Sequence, residues 1–386
     1  MGSPWADVRR DFPALARHTY LNAAAASPTP RPVRAAVDAH YRQLEEDGDL
    51  HWEHWLARVE DVRAAVARFI GAHADEVAFV PNTSTGINLI ADLLAEAGPV
   101  VSDDLEFPTV TLPWVHRGAD MRLVAAVSGV VPPEAFAEAV QSGAATIAVS
   151  HVQFSNGCRQ DLDAFGRVKG GRHLVVCASQ SAGAFPIDVG RSGIDALASA
   201  GHKWMCAGYG AGFAYISRAL LARHPPRAIG WLSVRDPFRF ERLRYEVLPS
   251  NRRAEMGCPP FAQILALGAA VDYLAGVGIE AISQRVLALN AYLTDTLRRH
   301  GVDVLSPGGL HRSGETLCAV PDPPAGRAFL ESRGVLVTEK PEGLRLATHF
   351  YNNEADIDRG VRVLAEYLAG VQAQTRADGW GATPTV

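Results

Sequence analysis

Between Tyr20 and Ser217 short apolar runs alternate with stretches of helical spacing, and that alternation restricts the fold more than any other feature. Residues 77–80, 100–102, 147–151, 174–177 and 212–216 are too short for helices and too uniformly apolar for strands with a wet face. They read as buried strands of a mostly parallel sheet, covered on both sides. The intervening segments, such as Thr-Gly-Ile-Asn-Leu-Ile-Ala-Asp-Leu-Leu-Ala-Glu at 85–96, carry apolar residues at helical intervals. The expectation is an α/β domain with a mainly parallel mixed sheet.

After Arg218 the texture changes. A Pro- and Arg-rich connector from His224 to Arg253 leads into an amphipathic stripe of Ile282, Val286, Leu289, Leu293 and Leu297. Short strands are expected at 317–320, 335–338 and 344–347. The predicted organisation is an N-terminal arm (1–18), a large domain (19–240), a smaller C-terminal α+β domain (241–373) and a loose tail (374–386), where periodicity is lost to Gly, Thr and Pro. A length of 386 residues suits two domains.

Charge and cysteine content narrow the function. A formal charge of −5 without a basic stripe argues against nucleic-acid binding. Five widely spaced cysteines, none in a Cys-x-x-Cys pair, argue against a disulfide framework or a zinc ribbon and suit a reducing cytoplasm. No apolar run reaches the length of a signal peptide or a membrane span, so a cytoplasmic protein without membrane partners is expected. His51-Trp52-Glu53-His54-Trp55 has two potential metal ligands but no third at matching spacing, so no metal site is expected.

The sharpest chemical signal is Ser199-Ala200-Gly201-His202-Lys203-Trp204, followed by Gly208-x-Gly-x-Gly. A lysine at the end of an apolar strand can lose its proton by burial, and its neutral amine can then attack an aldehyde to form a Schiff base. A lone Lys-Trp would equally be a surface lysine, so context decides. Upstream, Pro81-Asn82-Thr83-Ser84-Thr85-Gly86 joins a strand to a helix, where amides and hydroxyls can hold a phosphate. Thr83 and Ser84 could alternatively be simple helix caps.

Taken together with Tyr20-Leu21-Asn22, Leu105-Glu106-Phe107, Cys177-Ala178-Ser179-Gln180 and Leu344-Arg345-Leu346, these segments resemble the class V branch of the fold-type I pyridoxal-phosphate enzymes. That branch includes cysteine desulfurases, kynureninases and isopenicillin N epimerase-like proteins. The resemblance spans nearly the whole chain. It implies pyridoxal 5′-phosphate as cofactor, a small amino-acid-type substrate and a homodimer. By the same resemblance, Thr83, Ser84 and His202 would bind the phosphate, Phe107 would stack on the ring and Gln180 would donate to its phenolic oxygen. Lys203 would carry the cofactor and act as base at the substrate α-carbon. Asn22 and Arg345 would bind the substrate, Arg345 gripping its carboxylate.

The departures from the family pattern are informative. Cys177 stands where relatives have an aspartate paired with the pyridine nitrogen. A buried thiol stays above its reference pKa of about 8.5 and brings no charge. Losing a charge-assisted hydrogen bond of roughly 1.5–3 kcal/mol leaves that nitrogen largely unprotonated, the competing reading being a thiolate at Cys177. Phe154, Ala200 and Cys258 replace polar residues; Cys258 falls where relatives make a phosphate contact across a dimer interface. Residues 332–342 lack the nucleophilic cysteine of a desulfurase. These features point to a lyase-type reaction, a β-elimination with carbon–sulfur cleavage among its forms. An aminotransferase or epimerase remains open, as does a degenerate scaffold that only binds.

Overall fold

The computed structural model describes residues 4–379, and side chains in the final helix as far as residue 373. Twelve strands occur in chain order: β1 (Thr19–Tyr20), β2 (Val77–Phe79), β3 (Val100–Asp103), β4 (Met121–Val124), β5 (Thr146–Ser150), β6 (His173–Cys177), β7 (Ala196–Ala200), β8 (Gly212–Ile216), β9 (Glu315–Ala319), β10 (Val335–Leu336), β11 (Thr338–Lys340) and β12 (Gly343–Ala347). Seven of them form the central sheet in the order β2-β8-β7-β6-β5-β3-β4. Only β8 runs against its neighbours.

The sheet is buried on both faces because alternate residues of each strand feed different cores. Val101, Ile147, Val149, Leu174, Val176 and Leu197 pack with helices Trp52–Phe69 and Phe261–Val277. Val100, Ala148, Val175 and Ala198 pack with Ile87, Ile90 and Leu94 of helix Thr83–Leu94 and with Trp114. That helix lies very close to β7. A Cβ on Gly86 would meet the Ala198 Cβ at 2.7 Å, so glycine and alanine are required there together. The carboxyl ends of β3, β5, β6 and β7 open on one edge, where ligand sites of parallel sheets form.

A second body holds the antiparallel sheet β11-β12-β9 and the parallel pair β1-β10. Leu289, Leu293, Leu297, Leu330, Leu344, Leu346, Ile357 and Val361 form its core. The expected boundaries move in three places. Thr19–Tyr20 pairs with β10, and Leu21 lies in the second core, so the start of the expected large domain packs against the smaller body. Phe261–Val277, assigned by sequence to the small domain, is apolar on nearly every side and is buried in the main core. The two bodies meet within helix Ile279–Arg299, whose Ile282 and Val286 face the main core and whose later leucines face the second. The last helix, Glu354–Gly379, runs into the expected tail, and residues 380–386 lie outside those described. No single described helix is long and apolar enough to cross a membrane.

Candidate active site

Lys203 follows β7 in a tight turn, where Gly201 N–H donates to the Ala211 carbonyl and Ser27 N–H to the His202 carbonyl. Burial strips its ammonium of water and lowers its pKa; Arg345 adds to this, while Glu315 and Cys177 oppose it. The chain has only three lysines. Lys169 is ion-paired to Asp195 at 2.6 Å, and Lys340 lies against the Phe154 ring, its Nζ 4.1 Å from the centroid.

A cavity of about 200 Å³ opens beside Lys203. Thr83, Ser84, Phe107, Cys177, Gln180 and His202 all line it, so most of the residues singled out by sequence are brought together. At one end stands the N-terminus of helix Thr83–Leu94. Asn82 caps it by accepting from Thr85 N–H at 2.9 Å, leaving the first amides free for an anion. Thr83 Oγ1 bonds Ser179 Oγ at 2.5 Å and Ser84 Oγ bonds Thr109 Oγ1 at 2.7 Å, which clusters four hydroxyls at that end. His202 stacks on Tyr209 at 4.5 Å, and burial beside Lys203 lowers its pKa to about 4, making it a neutral hydrogen-bond partner at pH 7.

Gln180 is fixed from both ends: Nε2 donates to the Ala24 carbonyl at 3.0 Å and Oε1 accepts from Trp204 Nε1 at 2.8 Å. Its second N–H remains available. The turn after it needs Gly183 (φ 94°), because a side chain there would strike the Trp204 carbonyl. Phe107 is half exposed and meets Phe154 edge-on at 5.0 Å. An anion cradle, an aromatic wall, a fixed amide and one buried lysine of lowered basicity fit pyridoxal 5′-phosphate, which Lys203 would hold covalently.

Cys177 closes the floor. Its Sγ lies 3.5 Å from Ser179 Oγ, and burial, followed by the nearby Glu106 charge, raises its pKa. Burial thus favours the thiol over the thiolate at neutral pH. Glu106 itself was not singled out by sequence. It accepts from the Ser150 amide, from Ser150 Oγ at 2.5 Å and from Gln153 Nε2 at 3.0 Å.

Arg345, on β12, is buried and already engaged. Its Nη1 donates to the Phe154 carbonyl at 2.8 Å and to Glu315 Oε2 at 3.1 Å. Glu315 begins β9, and no solvent reaches its side chain. A charged residue opening an apolar strand was the one sequence signal that could have revealed it. Burial lowers the Lys340 pKa to about 8, with Arg345 adding to the effect. Asn22 lies one strand away, its Oδ1 accepting from Thr338 Oγ1 and its backbone bridging to Ala347. Asn22 and Arg345 do not line the cavity itself. Neither does Cys258, which is exposed and borders a separate cavity of about 150 Å³ with Pro81, Gly210 and Gln263, so the single chain does not join it to the phosphate end.

Among the described residues no group of three or more His, Cys, Asp or Glu is arranged to hold a metal. His51 instead contacts Asp47 at 3.0 Å, and Trp55 packs on Phe261.

Residues 19–319 match the model of the family described as Aminotransferase class-V. A relative named as an uncharacterized aminotransferase from Bacillus subtilis is 29% identical, over 92% of this chain and 96% of its own length. A probable cysteine desulfurase from Methanothermobacter thermautotrophicus is 32% identical over 75% of each chain. The isopenicillin N epimerase of Amycolatopsis lactamdurans is 28% identical over 95% of this chain and 99% of its own. Among solved structures, the apo cysteine desulfurase of Thermococcus onnurineus superposes with a TM-score of 0.88 at 26% identity, covering 96% of this chain and 99% of that one. Fold, site and relatives agree that this chain belongs to the class V aminotransferase family and is a pyridoxal-phosphate-dependent enzyme.

Proposed function

We propose that the enzyme is a lyase that removes a β-substituent, in particular a sulfur leaving group, from an amino acid or amino-acid conjugate. The observation that carries this reading is the state of the thiols. Cys158, Cys177, Cys206 and Cys318 are buried, and Cys258 is away from the Lys203 cavity. Cys318, on β9, donates to the Leu344 carbonyl at 3.4 Å, and burial raises its pKa to about 12. Cys177 lines the cavity floor, but burial raises its pKa and makes it a poor acceptor of sulfur, and no other described cysteine borders the cavity, which supports sulfur leaving with the product.

The cofactor, when bound, supplies the aldehyde that captures the substrate amine and the electron-poor ring that acidifies its α-hydrogen. Lys203, its basicity lowered by burial, accepts the α-proton at Nζ. Arg345 provides positive charge for the substrate carboxylate, oriented by Glu315. Lys340, with a pKa near 8, carries a proton that the departing sulfur can take as the Cβ–S bond breaks and its electron pair leaves with sulfur. Phe107 and Phe154, meeting edge-on at 5.0 Å, give this side an apolar wall.

The same Lys340 favours a second reading. Two amines of lowered basicity would serve an epimerase, one removing and one returning the α-proton. Incubating the holoenzyme with amino acids and thioether conjugates separates the two. Release of pyruvate and ammonia with a free thiol supports the lyase, whereas inversion of the α-carbon with no released fragment refutes it. We further place the enzyme in the cytoplasm as a homodimer. Cys258 is the sole exposed cysteine and lies outside the Lys203 cavity, which suits a contact made across two chains. Sedimentation reads the dimer, and a Cys258 that reacts with thiol reagents equally fast in monomer and dimer would argue against its burial there.

A further inference from the structure

The floor of the Lys203 cavity has a buried acid behind it to which the reading above gives no task. Moving across the sheet away from Lys203, the strand ends present Ala200 on β7, Cys177 on β6 and Ser150 on β5, and all three line the cavity. Ser150 and Cys177 are register partners on adjacent strands. Behind Ser150, its hydroxyl donates to Glu106 Oε2 at 2.5 Å and its amide donates to Oε1. Gln153 Nε2 bridges from Glu106 Oε1, at 3.0 Å, to Asp103 Oδ2, at 2.9 Å.

No cation pairs with either carboxyl among the described residues. The titratable groups facing them are Asp104 beyond β3, Cys158 after β5 and Cys177 on β6. Burial raises both pKa values: Asp103 goes to about 8, with repulsion from Glu106 adding to the effect, and Glu106 to about 7, its hydrogen bonds to Ser150 and Gln153 holding it down. Glu106 therefore exchanges a proton near neutral pH, one hydroxyl away from the cavity.

The chemistry of the cofactor orients it in this frame. Its ring nitrogen is para to the aldehyde carbon, and its phosphate arm is ortho to that carbon. With the carbon on Lys203 and the arm at the N-terminus of helix Thr83–Leu94, the nitrogen is directed away from Lys203, towards Cys177 and Ser150. Cys177 is a neutral thiol and cannot charge-balance a pyridinium.

We propose that Glu106, acting through the Ser150 hydroxyl, holds the proton on the cofactor's ring nitrogen. The ring N–H donates to Ser150 Oγ, and Ser150 O–H donates to the Glu106 carboxylate, so the charge sits one hydroxyl further back than a direct partner would place it. Glu106 is then a positioning residue, and the nitrogen is protonated despite Cys177. Asp103 reaches the cavity only through Gln153 and tunes Glu106. The proposal rests on Lys203 carrying the cofactor.

The test uses holoprotein loaded with cofactor carrying 15N at the ring nitrogen, read by NMR at pH 7. The wild-type resonance is expected in the protonated pyridinium range. It should move to the unprotonated range in Glu106→Gln and in Ser150→Ala, and stay in place in Ser150→Thr and Cys177→Ala. A wild-type resonance in the unprotonated range, an unmoved Glu106→Gln, or a Cys177→Ala that moves as far as Glu106→Gln would overturn the proposal. Should Ser150→Ala not fold, the isosteric Glu106→Gln alone decides. Borohydride reduction of each sample keeps the two readings apart. An absent Lys203 adduct in wild type sinks the cofactor assignment, whereas a normal adduct with an unmoved resonance in Glu106→Gln sinks only the role of Glu106.

Discussion

Replacing Glu315 by glutamine removes one charge from a buried pair and leaves the shape of the site unchanged. In wild type the carboxylate has no solvent exposure and Arg345 is 4% exposed, with Nη1 and Oε2 3.1 Å apart. The pair is thus beyond the reach of water or salt, unlike the exposed pair Arg34–Asp38, where water competes. Breaking a buried pair from one side strands the other charge, at a cost of about 3–5 kcal/mol. Unfolding entropy of about 2.1 cal/mol/K per residue gives a 386-residue chain about 0.8 kcal/mol/K, so Tm should fall by about 4–6 °C. The control Asp38→Asn should cost under about 1 kcal/mol and move Tm by roughly 1 °C. Calorimetry of apo-protein at pH 7 reads both. The same Glu315→Gln variant unmasks the positive charge of Arg345, so inhibition by simple carboxylates should strengthen while stability falls. A Glu315→Gln variant that melts with the control would show that the pair carries no buried charge, and the orienting role of Glu315 would go with it.

Three other outcomes follow from the site. Because Asp103 and Glu106 have raised pKa values, the folded chain binds more protons than the unfolded one between about pH 4 and pH 8. Their contribution to apo-protein stability is present below the unfolded values and is lost as pH rises, at about 1.4 kcal/mol per pH unit for each proton. Denaturant titrations from pH 5 to 8 should give Asp103→Asn a flatter decline than wild type, and parallel curves would contradict the shift. Phe107→Ala removes an aromatic wall worth about 0.5–1.5 kcal/mol, so cofactor should dissociate about 2- to 13-fold more readily, with unchanged retention counting against stacking. Thiol titration of the folded monomer should label Cys258 first; rapid labelling of Cys177 would contradict its burial as a neutral thiol.

The sheet was legible where strands are β-branched and buried on both faces, as in Leu-Val-Val-Cys of β6 and Thr-Ile-Ala-Val-Ser of β5. β7 is harder to read because its sequence is Ala-Leu-Ala-Ser-Ala, small residues chosen for the close approach of Gly86. Only its lysine-bearing end stood out. β4 is a half-exposed edge, Met-Arg-Leu-Val, without a clear period. The residues that gather at the Lys203 cavity were legible because most lie at strand ends and turns with their own local pattern, whereas Cys258 borders a separate cavity. Glu106 and Glu315 were not, since their meaning depends on partners 44 and 30 residues away that only strand pairing brings near. Packing across the expected domain boundary was hidden for a related reason: an apolar helix such as Phe261–Val277 announces burial but not which core will bury it.

The whole account depends on which of three lysines meets the cofactor. Reduction of the holoenzyme with borohydride, followed by peptide mapping, should place a single pyridoxyl group on Lys203 and none on Lys169 or Lys340. An unmodified Lys203 peptide in cofactor-saturated protein, or an adduct on Lys340 in its place, would contradict it.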